Sequence, residues 1–472
     1  MTSPARSPWM IFSVLAVTQF MVVLDASIVY VALPSIQRDL HFSQADLSWV
    51  MNAYILAFGG VMMLGGRMAD LLGRRRVLLA GLVWFGLASL ACALAATPWQ
   101  IVAARAAQGL GAAFVAPSAL ALVTDTFPEG PTRFKALGIF GSIGGFAGAA
   151  GTLIGGLLTT ISWQWAFLVN IPIVLAILVI GPRLLPSARP AATGGIDLVG
   201  IASSVGGLCL LLLGILRGGV QGWGSTPVLL EFAGALVLLA AFVFRQAKAR
   251  APLVPRALVA TRGVMIGNGA NVMAGALLFG VYLVLTLFLQ TVRGYTPLQA
   301  ALWTLPISVS LFLGSNLVPR LFGRLSPRGA LGMALGLQAV GLVWWALSLA
   351  SEGLLLTSFL LPAMVWGFGC GGALVAAFVV CTSGVRGQEM GAASGLVSTT
   401  LQVGGALGVA VLTTLSEVDD SANGVVSTAH GQSIALWGAS AFAVVGVVLM
   451  LWLRRADPAP AVTPAVRAGT RS

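Results

Sequence analysis

Asp25 sits in the run MVVLDASIVYVALP, residues 21–34, and no other charge lies between Arg6 and Arg38. A charged side chain at the centre of a bilayer costs about 2.5–3.5 kcal/mol on insertion scales, so acids placed there are read as functional, and proton relays are a common use. Arg105, in WQIVAARAAQGLGAAFVA (residues 99–116), is the basic counterpart: it is the one Lys or Arg deep inside an apolar run. At 1.5 Å of helix rise per residue, Asp25 lies about 13 Å from Pro34 and Arg105 about 9 Å from Trp99. Both distances run from the same side, so the two charges share a depth. Pairing would offset the cost of burying each alone. The other acids fall outside the apolar runs or at their ends.

The elements that must position these charges are membrane helices. The 472 residues are 58% hydrophobic and 8% charged, with a mean hydropathy of +0.96; soluble domains carry about 25% charged residues. Apolar runs of about 20 residues suit spanning helices, whereas barrel strands alternate over about 10 residues. Fourteen spans are predicted, near 9–33, 47–66, 77–96, 99–123, 135–158, 164–185, 197–217, 227–245, 262–288, 298–319, 329–349, 354–381, 391–412 and 432–453. TPWQ (97–100) and SWQW (162–165) leave room only for tight turns.

With the N-terminus in the cytoplasm, 22 of the 26 Lys and Arg fall on the cytoplasmic side, as the positive-inside rule requires. Both termini are then cytoplasmic, and the net charge of +12 reflects membrane orientation rather than nucleic-acid binding. Cys92, Cys209, Cys370 and Cys381 lie inside apolar runs without disulfide or metal spacing. No metal site and no catalytic constellation is expected. The Pro/Ala-rich tail, 456–472, reads as disordered.

Spans 2 and 10 are each followed by a short basic loop, and spans 5 and 13 each carry a double glycine, Gly155–Gly156 and Gly404–Gly405. Such internal repeats build transporters, with the substrate site between the repeated halves. The expected division is 1–190 for a first six-helix bundle, 191–250 for two inserted helices and 251–455 for a second bundle. In span 5, Gly138, Gly141, Gly144, Gly145, Gly148, Gly151 and Gly155 recur every three or four residues, a face suited to close helix approach. Gly156 follows directly. Tyr54, Gln108, Asn271, Gln290 and Gln402 are candidate polar residues of a largely apolar substrate cavity.

Several stretches together resemble the major facilitator superfamily, and specifically its fourteen-span drug:proton antiporter branch. LDASIVYVALP (24–34) is similar to the first-span motif of that branch. GRMADLLGRRR (66–76) is similar to the superfamily's loop between spans 2 and 3, matched by Gly66, Asp70, Gly73, Arg74 and Arg75. RAAQGLGAA (105–113) resembles the span-4 motif that opens with an intramembrane Arg. GTLIGGLL (151–158) resembles the antiporter motif of span 5, with Thr152 where the family usually has Pro, and SWQWAFLVNIP (162–172) its sequel. FLQTVRGYTPLQAA (288–301) and GAASGLVSTTLQVGGALGVA (391–410) match in the second half.

The resemblance implies an all-α major facilitator fold of two pseudo-symmetric six-helix bundles plus two inserted helices. It implies a monomeric exporter of a hydrophobic small molecule in the cell membrane, working by alternating access. No cofactor is implied; the proton gradient supplies the energy. Asp25 and Arg105 would couple protons to transport, and the 66–76 loop would latch the cytoplasmic side, with Asp70 near the start of span 13. The alternative is an uncoupled facilitator, or a proton-coupled importer of a metabolite, on the same fold.

Overall fold

A computed structural model describes residues 7–127, 131–186, 197–248, 258, 261–323, 325–349, 356–383, 385, 390–416 and 429–456. These form fourteen long helices, one at each predicted span. In chain order they are α1 Pro8–Leu40, α2 Gln44–Leu72, α3 Arg74–Ala93, α4 Pro98–Thr126, α5 Pro131–Ile161, α6 Trp165–Leu184, α7 Leu198–Gln221, α8 Thr226–Lys248, α9 Arg262–Leu287, α10 Pro297–Leu317, α11 Pro327–Leu349, α12 Leu361–Thr382, α13 Met390–Ser416 and α14 Ala429–Ala456. Twelve are long and apolar enough to cross a membrane, among the described residues, and α2 makes thirteen when its two segments, bent by 48°, count as one span. The 457–472 tail lies outside the described residues.

Local chemistry sets the helix ends. Ser43 Oγ accepts from the Asp46 backbone N–H at 3.1 Å to start α2. A reciprocal capping box of Thr296 and Gln299 starts α10. Gly73, at φ 97°, makes the turn from α2 into α3, a conformation that costs a glycine nothing. α1 departs from expectation: it does not stop near Pro34 but runs on to Leu40. Proline removes the donor to the carbonyl four residues earlier, that of Tyr30, without ending the helix; further on, Arg38 Nε donates to the Pro34 carbonyl at 3.3 Å. The helix then ends where His41 turns left-handed, at φ 56°.

Packing repeats at an offset of eight helices. α1 lies on α5 as α9 lies on α13; α2 and α3 flank α4 as α10 and α11 flank α12. One apolar core centres on Leu15, Phe85 and Phe167 of the first half and extends to Leu283 of α9 and Val409 of α13; the other, around Trp345, Phe359 and Trp366, lies in the second half. The halves meet along two seams, α5 with α10 and α2 with α13. α7 packs outside the repeat against α2 and α13, with α8 behind it. The fold is therefore two pseudo-symmetric six-helix bundles with an inserted pair.

Candidate functional site: a buried ion pair beside a central cavity

Asp25 and Arg105 form an ion pair, Arg105 Nη1 donating to Asp25 Oδ2 at 2.9 Å, and both side chains are 0% exposed. The equal depths inferred for them are thus met by a direct contact. Five helices of the first half converge here. Gln108, one turn after Arg105 on α4, accepts from Arg105 Nη1 at 2.6 Å and donates its own Nε2 to Asp25 Oδ1 at 2.7 Å. Asn170 of α6 donates Nδ2 to the same Oδ1 at 2.7 Å. Ser89 of α3 accepts from Gln108 at 2.8 Å. From α2, the Val50 carbonyl accepts from Arg105 Nε at 3.0 Å, and the Tyr54 ring lies 4.1 Å from the guanidinium carbon.

Both Asp25 oxygens accept from N–H donors. Arg105 Nη2 has no hydrogen-bond partner among the described residues; its face is covered by Tyr54, a cation–π contact of the kind that gains strength when desolvated. The network lies wholly inside one half.

The helix that carries Asp25 also lines a small cavity between the halves. Ser27, Tyr30 and Val31 of α1 face Thr152 of α5, Tyr282 and Thr286 of α9, Gln290, and Ala300 and Thr304 of α10. Gln290 Nε2 donates to the Val31 carbonyl at 3.0 Å, and the Tyr30 and Tyr282 rings lie 6.0 Å apart. These contacts bridge the halves on the side opposite the basic loops.

The α5 glycines fix how α1 sits. An ideal Cβ on Gly151 would fall 2.7 Å from Ser27 Cβ and 3.0 Å from the Leu24 carbonyl; one on Gly155 would fall 3.1 Å from Ile28 Cα. Gly148 faces Ser27 more loosely, at 3.8 Å. This face presses on the α1 segment that holds Asp25. Gly156 points elsewhere, to α10, where a Cβ would meet Ala301 Cβ at 2.7 Å. The surroundings of Gly138, Gly141, Gly144 and Gly145 lie outside the described residues.

Of the five residues proposed for the cavity, only Gln290 lines it. Tyr54 and Gln108 belong to the ion-pair network instead, because both point from α2 and α4 into the interior of the first half. Asn271 bridges α9 to α13, donating to the Val397 carbonyl at 2.7 Å and to Thr400 Oγ1 at 2.9 Å. Gln402 lies against Gly59 in the α2–α13 seam. Sequence reasoning missed Asn170 and Ser89, which carry no charge and resemble ordinary interhelical glue; the one signal was Asn170 inside the SWQWAFLVNIP stretch. It also missed the cavity hydroxyls of Tyr282 and Thr304.

In the 66–76 loop, Arg74 is the hub. It pairs with Asp70 at 3.1 Å and with Asp125, and donates to the Ala121 carbonyl at 3.2 Å. Arg75 donates to the Leu185 carbonyl at 3.3 Å, tying α3 to the end of α6. Gly66 faces Pro117 of α4. Residues 386–389, which lead into α13, lie outside the described residues, so the expected approach of Asp70 to that helix has no described counterpart.

A repeat of six-helix halves around a central cavity, with an ion pair buried at membrane depth, defines a multi-pass membrane transporter. The Major Facilitator Superfamily model matches residues 15–409, and the chain belongs to that superfamily. It is 42% identical to a cephamycin export protein of Amycolatopsis lactamdurans, over 85% of this chain and 84% of that one. It is 38% identical to a puromycin resistance protein of Streptomyces alboniger, over 95% and 90%, and 34% identical to a tetracenomycin C resistance and export protein of Streptomyces glaucescens, over 86% and 75%. An auto-inhibited peptide transporter of the POT family superposes with a TM-score of 0.70 over 97% of this chain and 98% of its own, at 16% identity. That likeness speaks to the fold alone.

Proposed function

We propose that this chain exports a hydrophobic small molecule of the antibiotic or drug class across the cell membrane in exchange for protons. The six-helix halves rock about the central cavity as a monomer, with both termini and the basic loops in the cytoplasm. The observation that carries this reading is the fully buried Asp25–Arg105 pair on the helix that lines the cavity. The export and resistance relatives support the substrate class, and the placement of 22 of 26 Lys and Arg on one side supports the orientation.

Asp25 is the proton carrier in this mechanism. In the arrangement described, its carboxylate is held by Arg105, Gln108 and Asn170. Protonation weakens all three contacts at once, because each donor then faces a less basic oxygen. α1 is thereby released against the glycine face of α5, and Ser27 and Tyr30 move with it in the cavity wall. A proton crossing 100 mV supplies about 2.3 kcal/mol, enough for a gradient of about fiftyfold at 1.4 kcal/mol per decade.

Inverted membrane vesicles with an imposed pH gradient test this, with puromycin as the probe. Addition of puromycin should release protons with the wild type and not with Asp25→Asn, checked for equal folded yield. Puromycin flux that ignores both the pH gradient and Asp25→Asn would overturn proton exchange and leave a facilitator on the same fold.

A further inference from the structure

The oxygens that line the central cavity share a bias. Ser27 Oγ donates to the Val23 carbonyl at 3.0 Å, Thr152 Oγ1 to that of Gly148 at 2.9 Å, Thr286 Oγ1 to that of Tyr282 at 3.0 Å and Thr304 Oγ1 to that of Ala301 at 2.9 Å. Each hydroxyl proton is committed to its own helix, so lone pairs are what these side chains have left to offer. Gln290 Nε2 is committed to the Val31 carbonyl, which leaves its Oε1 to accept. The Tyr282 hydroxyl is paired with Ser308. Tyr30 is the exception. Its side chain is 5% exposed, yet its hydroxyl has no hydrogen-bond partner among the described residues. A buried polar group without a partner is costly and marks a place where a water or a ligand belongs.

The cavity measures about 10 Å³, room for one water-sized group. No charged side chain lines it. The Asp25–Arg105 pair begins five residues back along α1, about 7.5 Å of helix rise, and is neutral as a unit. An anion would find one uncommitted hydroxyl and one amide proton set against the acceptors of Ser27, Thr152, Thr286, Thr304 and Gln290. A methyl group would leave all of them dry. A group with several N–H donors and no acceptor matches the lining, and a primary ammonium carries three such donors. Neutral oxygens can replace the water around a cation, as carbonyl rings do in ion channels.

We propose that the cavity lined by Ser27, Tyr30, Thr152, Thr286, Gln290 and Thr304 is a subsite for a primary ammonium group on the exported compound, filled by one water in its absence. This rests on the export reading above and names a group that its substrate carries. Recognition runs through hydrogen bonds to neutral oxygens, without a carboxylate in the cavity wall. With the halves closed there is room for the ammonium group alone, so the apolar remainder of the compound enters only as they part.

Calorimetric titration of the protein in bilayer nanodiscs, against protein-free nanodiscs, tests the subsite without requiring transport. The probes are phenylbutylamine, phenylbutanol and phenylbutyl-trimethylammonium, which share one apolar body. The amine should bind about tenfold more tightly than either of the others, the scale of one charge-assisted hydrogen bond. Thr286→Val and Thr304→Val keep the side-chain shape and remove an acceptor, and should each take most of that preference away while leaving the alcohol's affinity unchanged. Thr414→Val, whose hydroxyl turns to the Ala410 carbonyl on α13 outside the cavity, should leave the preference intact. Equal affinity of amine and alcohol would mean a structural water only and overturn the proposal. Equal affinity of amine and trimethylammonium would mean that charge, and not N–H donation, is read. Loss of amine binding in excess potassium chloride would assign the oxygens to an alkali-metal ion. Each of these overturns it, as does a preference that survives both cavity valines. Flux in the inverted vesicles of puromycin, which carries a primary amine, and of its analogue without that amino group separates the two readings. Absent flux of both with the amine preference intact fails the export reading alone; equal flux of both, with amine and alcohol bound equally, fails the ammonium subsite alone.

Discussion

α1 meets α5 and α9 meets α13 in the same geometry, yet the two contacts are built differently. Across α9–α13 the backbones touch on both sides: a Cβ on Gly404 would fall 2.0 Å from the Val272 carbonyl, and one on Gly275 2.0 Å from the Leu401 carbonyl. Hydrogen bonds lock that contact, with Thr400 Oγ1 donating to Asn268 Oδ1 at 2.8 Å and Asn271 reaching Val397 and Thr400. Across α1–α5 the hydroxyls turn back on their own helices, Ser27 to Val23 at 3.0 Å and Thr152 to Gly148 at 2.9 Å. The charge lies beside the unlocked contact. The α9–α13 contact is uncharged and fastened by hydrogen bonds, whereas the α1–α5 contact has no such described bond and lies beside the buried Asp25. On the proton-exchange reading proposed above, protonation of Asp25 would shift the first half and leave the α9–α13 contact intact.

The largest effect expected from breaking this asymmetry is at Arg105. Removing one partner of a buried pair costs about 3–5 kcal/mol, so Arg105→Ala should lose most folded protein, read by size-exclusion fluorescence and thermal unfolding in detergent. The double variant Asp25→Asn with Arg105→Gln should recover folding without recovering proton release. A double variant as unstable as the single would show that packing around the guanidinium, rather than the unpaired charge, sets the cost.

Next come the glycines. Gly404→Leu drives a side chain into the Val272 backbone and should abolish folding. Gly151→Leu meets Ser27 and Leu24 across the sliding contact, and should leave a folded protein with puromycin-driven proton release down by at least about tenfold, since overpacking costs about 1–3 kcal/mol. Equal loss of folding at both positions would erase the distinction between a fastened and a sliding contact.

Asn170→Ala is a smaller perturbation. One of three donors to Asp25 is lost, and a hydrogen bond to a charged group contributes about 1.5–3 kcal/mol. Proton release on puromycin addition should slow by about tenfold and recover as the pH outside the inverted vesicles, at the cytoplasmic face, is raised, where Asp25→Asn stays inactive at every pH. A slowing that pH does not relieve would assign Asn170 to packing.

The charges were legible because charge in hydrocarbon is costly and therefore informative: Asp25 and Arg105 could be paired from depth alone. The fourteen helices and the offset of eight were legible from apolar run length and the matching double glycines. Asn170, Ser89 and Thr304 were not. Polar but uncharged residues occur in many spans, and one sequence does not reveal which of them turn inward, back on their own helix or across to a neighbour. Tyr54 and Gln108 were read as cavity residues for the same reason. The bend of α2 and the continuation of α1 through Pro34 depend on packing and on local carbonyl partners that periodicity does not report.

Thr400→Val sharpens the comparison with the least disturbance. The hydroxyl joins Asn268 and Asn271 across α9–α13, and its loss leaves the Asn268 carbonyl oxygen and one Asn271 proton without that partner. Interhelical hydrogen bonds in membranes contribute about 0.6 kcal/mol on average, and Val keeps the shape of Thr, so unfolding should shift only slightly. If the second half is a passive frame, the ratio of protons released to puromycin moved should stay at the wild-type value. If that ratio falls, the α9–α13 contact also slides during the cycle, and the asymmetry between the halves lies in where the charge sits, without a difference in which contact moves.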